Sequence, residues 1–396
     1  MVRATRRLLA LALLTAGLLA ALPPRRAAAE EVPLHVILPM SGNAAFTGQV
    51  RQKTLRAMEE MLNKQGGIGG KPVRFVFHDD QTSPQVTVQI TSAILPEHPP
   101  VIFGSSITGP CAAELPLIRA NGPVAYCFSP GIHPPPGSYM FSAGPSTHDL
   151  ARILFRYFLA RGWTRIAMLT SPDMTGQEME EGFTEARRDP ALQAVEIVSH
   201  QRFSIGDVST AAQVGRIAET HPDAVIVWST GAAVAGVFKA MIQAGLDLPV
   251  VTSNGNMSTD IMRQFAGFLP KTLLIPCAAF LPHEGLYRQD PLTEQKQQAY
   301  RAAMQAAGLP IDLYTAAVWD PVLMIRDGLQ TLGTDTTPAR LRAWLAGLQN
   351  YPGILGIYDF PAHPQRGIGG EGSIISRWDA AGERWVPVAE PGGKPL

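Results

Sequence analysis

Two short stretches hold the residues with the most chemical capacity: Gly104-Ser105-Ser106-Ile107-Thr108-Gly109 and Ser129-Pro130-Gly131-Ile132-His133. Each follows an apolar run, Val101-Ile102-Phe103 and Val124-Ala125-Tyr126-Cys127-Phe128. Small and hydroxyl-bearing residues at the exit of a buried strand leave backbone N–H groups and the amino end of the next helix free to hold an anion or a polar group. Serines in such places also cap helices, so the weight lies on the two loops together rather than on either serine alone. The chemistry they can do is capture.

Chemistry of turnover has no comparable support. There is no G-x-S-x-G elbow and no H-E-x-x-H, and the nine histidines are scattered. His78-Asp79-Asp80 has metal-binding residue types, but such a trio at a strand end ordinarily hydrogen-bonds to neighbouring loops. Gly66-Gly67-Ile68-Gly69-Gly70 follows a helix and precedes a strand, the reverse of a dinucleotide fingerprint, and Pro72 after Lys71 excludes a phosphate P-loop. It reads as a helix stop. No cofactor and no metal are expected.

The elements that position these loops begin with a strand at Leu34 to Leu38 and a polar turn from Ser41 to Gly48. A helix then sets Leu55, Met58, Met61 and Leu62 on one face, with Arg51, Lys53, Glu59, Glu60 and Lys64 mostly elsewhere. The strand Val73 to Phe77 completes a parallel unit, whose carboxyl edge is where open α/β sheets bind ligands. Helix and strand continue to alternate: helices at 84–95 and 112–120, then, in a second series from Thr147, helices at 150–160, 175–187, 208–219 and 232–244 between strands at 165–169, 194–199, 224–228 and 250–252. Such repetition predicts two similar lobes, each a mainly parallel sheet flanked by helices. A strand at 273–276 leaves the second lobe. Helices at 292–307, 314–332 and 338–348 then fit a return to the first, and strands near 354–360, 373–378 and 385–388 close the chain. We therefore divide it into 33–147 with 278–360 and 148–277 with 361–396, joined by a multi-strand hinge around a cleft.

Arg3, Arg6 and Arg7 before an apolar run from Leu8 to Leu22, and Ala27-Ala28-Ala29 after it, predict a cleaved signal peptide over 1–29, with Arg6-Arg7 as plain charge or a twin-arginine signal. The chain has 33 basic and 33 acidic residues; removing 1–29 with its five arginines leaves 28 basic residues and a net charge near −5. No basic patch favours nucleic acid or an anionic membrane. Three cysteines do not make a disulfide framework. Cys111 and Cys127, one helix apart, are left open to pairing, and Cys277 reads as a buried thiol.

The order "PMSG…TG", helix, "NKQGGIGGKPV" and a strand closing on "DD" resembles the amino-terminal unit of periplasmic leucine/isoleucine/valine-binding proteins, the type I solute-binding proteins of ABC importers. The resemblance covers nearly the whole chain after residue 29. It implies that the loops "GSSITGP" and "SPGIHPP" hold a ligand carboxylate. Ser105, beside Ser106, would donate a hydroxyl. Gly131, beside Ile132, would give a backbone contact, and His133 stands in place of a threonine. Thr47, next to Phe46, replaces a tyrosine of the first turn, and Thr175 and Thr230 replace aromatic residues in the second lobe. Asn254, in "VVTSNGN", replaces the acid that pairs with an amino-acid ammonium.

That last change sets the expected ligand. A buried ammonium without a countercharge costs at least several kcal/mol. A small carboxylate lacking an α-ammonium, aromatic ones included, therefore precedes branched-chain amino acids, with amides third. The expected protein is a periplasmic, monomeric, non-enzymatic binder whose lobes close on the ligand and deliver it to a membrane permease. A ligand-sensing receptor domain on the same fold is the competing class.

Overall fold

The computed structural model describes residues 30–204, 206–281 and 290–396. The expected signal peptide lies outside them. Eight elements open the chain: β1 (Val32–Leu38), α1 (Ala45–Lys64), β2 (Val73–Asp79), α2 (Pro84–Ile94), β3 (Val101–Gly104), α3 (Thr108–Ile118), β4 (Val124–Cys127) and β5 (Met140–Ser142). Their strands form one all-parallel sheet in the order β2-β1-β3-β4-β5. Val36, Ile37, Ile102 and Phe103 are fully buried, as strands covered by helices on both faces must be. The three-residue strand β5 follows a proline-rich loop and is too short to leave a periodic signal, which is why the sequence reading has no strand there.

The second series runs α4 (Thr147–Ala160), β6 (Arg165–Thr170), α5 (Met174–Ala186), β7 (Glu196–Arg202), α6 (Ala211–Ala218), β8 (Ala224–Trp228), α7 (Ala232–Gln243), β9 (Val250–Thr252), α8 (Thr259–Gln264) and β10 (Leu273–Ala278). Strands β7-β6-β8-β9-β10 are parallel neighbours. The chain ends with α9 (Pro291–Ala306), α10 (Leu313–Leu332), α11 (Pro338–Ala346), β11 (Tyr351–Pro352), β12 (Ile357–Tyr358), β13 (Ser373–Asp379) and β14 (Arg384–Pro387). α10 packs on α1 and α11 against β4, so these helices belong with the first sheet. β13 and β14 add to the second sheet as antiparallel strands beside β10. The single strand read at 354–360 is instead half of a two-stranded antiparallel ribbon, β11 with β12, because Gly353 and Gly356 turn the chain between them.

Both sheets are built alike at the point that matters. The strand order reverses between β1 and β3 in the first and between β6 and β8 in the second, and ligands settle outside the carboxyl ends of strands at such switch points. A glycine tightens the turn in each. A side chain on Gly48 would lie 2.2 Å from the Pro39 carbonyl oxygen, and one on Gly176 would lie 1.9 Å from that of Ser171. Only glycine lets α1 and α5 begin that close to the strands feeding them.

Cys111 of α3 and Cys127 of β4 are joined as a disulfide, and Cys277 is a buried free thiol. Among the described residues no helix is long and apolar enough to cross a membrane.

Candidate ligand-binding site

The carboxyl ends of the two sheets face one another across a cleft. From the first sheet, Thr47 in the first turn of α1, Ser106 and Thr108 after β3, and Ser129 and Gly131 after β4 line it. From the second come Thr175 after β6, Trp228 and Thr230 at β8, and Asn254 after β9, while Tyr314 of α10 closes one side. Behind this polar chamber lies an apolar one, walled by Phe128, Ala143, Leu150, Leu313, Ala317 and Leu355, with Cys277 beside them. The two chambers share Arg51, Pro130, Asn254 and Leu313. A ligand spanning both presents a polar end to the hydroxyls and an apolar body to the hinge.

Arg51 is the residue that the helical pattern misplaces. The pattern sets it among the polar residues mostly away from the apolar face, yet it is 5% exposed and its Nε is buried with no hydrogen-bond partner among the described residues. Its guanidinium carbon lies 5.2 Å from the centre of the Tyr314 ring. Burial lowers its pKa to about 10, against the opposing pull of Tyr314 and Asp312. Asp312 attracts it by charge, while that carboxylate's hydrogen bonds go to the cap of α10, accepting from the N–H groups of Tyr314 and Thr315. A charged residue one turn past Thr47, on the helix that opens the site, was the available signal.

The loops are held by partners that sequence did not single out. Ser129 Oγ lies 3.0 Å from Thr108 Oγ1 and accepts from the Gly131 N–H at 3.3 Å, tying the loop after β4 to the start of α3. Asn256, fully buried, donates to the Ser229 carbonyl at 2.8 Å and to Thr252 Oγ1 at 2.9 Å, and accepts from the Gly231 N–H at 3.0 Å. It locks the loops after β8 and β9 together, which positions Thr230 and Asn254. The Tyr314 hydroxyl donates to the Gly255 carbonyl and so links α10 to the second lobe across the cleft.

The residues named from sequence divide. Thr47, Ser106, Gly131, Thr175, Thr230 and Asn254 all line the cleft. Ser105 does not: it is fully buried and its hydroxyl donates to Asp80 Oδ2 at 2.5 Å, so it has no proton left for a ligand. Burial raises the Asp80 pKa, and the Ser105 hydroxyl pulls it back. Phe46 stands behind Thr47, edge-on to Tyr314 with ring centres 5.7 Å apart. Ile132 is buried away from the cleft, and its carbonyl accepts from Arg366. His133 turns outward to Glu178, with Nε2 2.6 Å from Oε2. His78-Asp79-Asp80 is spent on structure: His78 meets His35 at 3.1 Å, and Asp79 accepts from the N–H groups of Met40 and Ser41.

Residues 31–383 match a family model described as periplasmic binding protein. Among curated proteins none matches. Solved structures share the fold at low identity. A type 1 periplasmic binding protein from Bordetella pertussis Tohama I is 18% identical with a TM-score of 0.77, over 91% of this chain and 100% of that one. A solute-binding protein of an ABC transporter from R. palustris, in complex with benzoate, is 17% identical with a TM-score of 0.74, over 93% and 98%. A branched-chain amino acid transporter substrate-binding protein from Streptococcus pneumoniae, in complex with isoleucine, is 15% identical with a TM-score of 0.74, over 91% and 99%.

Proposed function

We propose a role for this chain from the premise that it belongs to the periplasmic binding protein family: it is the periplasmic substrate-binding component of an ABC importer and captures a small carboxylate that lacks an α-ammonium. The observation that carries this is Arg51, a buried cation at the junction of the polar and apolar chambers whose Nε has no hydrogen-bond partner among the described residues. Leaving a buried charge unpaired costs several kcal/mol, and a ligand carboxylate is what relieves that cost. Thr47, Thr108, Thr175 and Thr230, at or just before the amino ends of α1, α3, α5 and α7, line the same chamber, and helix amino ends favour negative charge.

The other end of the ligand argues against an amino acid. Among the described residues neither chamber is lined by an aspartate or a glutamate, so an α-ammonium would find hydroxyls and the amide of Asn254 but no carboxylate there. Phe128, Leu150, Leu313 and Leu355 offer an apolar wall instead, which suits an aromatic or branched acid. The relative bound to benzoate gives that class a precedent on the same fold. Binding has no chemical step: the ligand closes the lobes, 33–147 with 278–360 on 148–277 with 361–396, and the permease receives the closed monomer after export by the segment 1–29.

The test is a thermal-shift series on the protein with benzoate, hexanoate, leucine and benzamide. A ligand at about 100 times its Kd adds roughly 2.7 kcal/mol, a shift of several degrees. The expected result is a shift with the two carboxylates alone. A shift with leucine would restore the branched-chain reading, and an equal shift with benzamide would remove the role given to Arg51.

A further inference from the structure

Outside the cleft, at its rim, three donor groups converge from both lobes. His133 comes from the loop after β4, His148 from the first turn of α4 and Glu178 from α5. His133 Nε2 lies 2.6 Å and His148 Nε2 3.5 Å from the same oxygen, Glu178 Oε2, and the imidazole centres are 4.1 Å apart. One ligating atom from each residue falls within 4.8 Å of the others. We propose that these residues form a divalent transition-metal site of the zinc type that clasps the two lobes together.

The protonation pattern is what a metal needs. His148 Nδ1 faces Glu185 Oε2 at 2.8 Å, and Arg152 holds Glu185 in place through Oε1 at 3.2 Å. A carboxylate on Nδ1 fixes the proton there, so Nε2 presents its lone pair, and it points at a carboxylate oxygen. His148 Nε2 and Glu178 Oε2 are both buried, and among the described residues neither makes a well-formed hydrogen bond, the close approach of His133 to Oε2 being an ion-pair contact. In that tautomer a lone pair on Nε2 and a carboxylate oxygen face one another, an arrangement that a bound cation completes. The carboxylate behind a histidine whose other nitrogen faces a metal is the recurrent outer shell of zinc sites.

The remaining geometry agrees. Donors about 2.0 to 2.2 Å from a tetrahedral ion stand roughly 3.3 Å apart, so His133 has only to withdraw by a fraction of an ångström from Glu178. Its side chain is 39% exposed, which leaves an entry path and a fourth position for water. The charged groups facing it leave one negative charge in excess: Arg366 and Arg152 lie near the carboxylates Glu178 and Glu185, with Asp149 beside both arginines. Because one ligand comes from the first lobe and two from the second, an ion here favours the closed arrangement. By linkage, metal and solute then tighten one another, typically by about 5- to 150-fold.

The experiment is a zinc titration of the chelator-treated protein by calorimetry, repeated on His133→Ala and His148→Ala, with cobalt as a spectroscopic substitute. The expected result is one bound zinc per chain, intense visible bands of tetrahedral cobalt, and at least a tenfold loss of affinity in each variant. His133 is exposed, so its variant keeps the fold, and a circular-dichroism melt without metal checks both. No stoichiometric binding, or equal binding in the two folded variants, overturns the site. Benzoate binding to the metal-free protein is measured alongside, and its failure would strike the solute reading alone.

Discussion

The guanidinium of Arg51 lies over the ring of Tyr314, 5.2 Å from its centre, while the Tyr314 hydroxyl donates to the Gly255 carbonyl of the opposite lobe. A cation from the first turn region of the chain and a ring from its last third thus meet at the junction of the two chambers. The ring supplies a partial countercharge and leaves the ion's hydrogen-bonding capacity open.

Arg51→Met removes that ion. Carboxylate affinity is expected to fall by about 1.5 to 3 kcal/mol, the value of hydrogen bonds to a charged group, or roughly 10- to 150-fold by calorimetry. The unliganded protein should melt higher, because a buried base whose pKa is lowered to about 10 destabilises the fold at all pH below that value. A lower melting point without ligand would assign Arg51 a structural role.

Ser105→Ala and Ser106→Ala should separate stability from binding. Losing the Ser105 donor leaves Asp80 with the Thr82 N–H at 2.8 Å as its remaining close donor and costs about 1 to 3 kcal/mol of stability. Ser106 lines the cleft, so its variant should weaken the ligand instead. Paired urea melts and binding isotherms distinguish the two; equal effects would contradict the division.

Asn254→Asp restores a charge facing the cleft. Leucine and isoleucine are expected to gain affinity and benzoate to lose it, both read by calorimetry. Unchanged selectivity would place residue 254 away from the ligand.

Glu114 is fully buried, and burial raises its pKa to about 8 even though the Ser105 N–H donates to it. The folded state then holds a proton that the unfolded chain releases near 4.5, so stability falls as pH rises from about 4.5 to 8 and is level above. Asp312 and Asp320, both raised to about 6 by burial, act with the same sign below that value. Glu114→Gln should flatten the loss between pH 6 and 8 in a series of melts. A slope identical to that of the unsubstituted protein would count against this assignment.

Reducing the Cys111–Cys127 bridge, which closes a loop with a sequence separation of 16, should lower stability by about 3 kcal/mol. Cys277, buried and with its pKa pushed up to about 12, should resist alkylation in the folded protein. Rapid labelling at Cys277 would mean that the apolar chamber opens to solvent.

Local pattern was enough for the strand and helix alternation and for the loops after β3, β4, β8 and β9, because apolar runs and glycine turns act over a few residues. Neighbouring serines cannot be told apart on that scale. Ser105 and Ser106 differ only in what lies across from them, Asp80 in one case and the cleft in the other. Arg51 and His133 were decided in the same way. Helical periodicity assigns a charged residue to solvent, but α10, arriving some 260 residues later, covers Arg51 with Tyr314. The contact of His133 with Glu178, in place of the expected position in the cleft, requires α5 of the other lobe. Sequence determined the two-lobed fold and the kind of site, since those follow from short-range pattern. Only the tertiary structure decided which polar groups face the cleft, because a side chain's direction is set by partners distant in the chain.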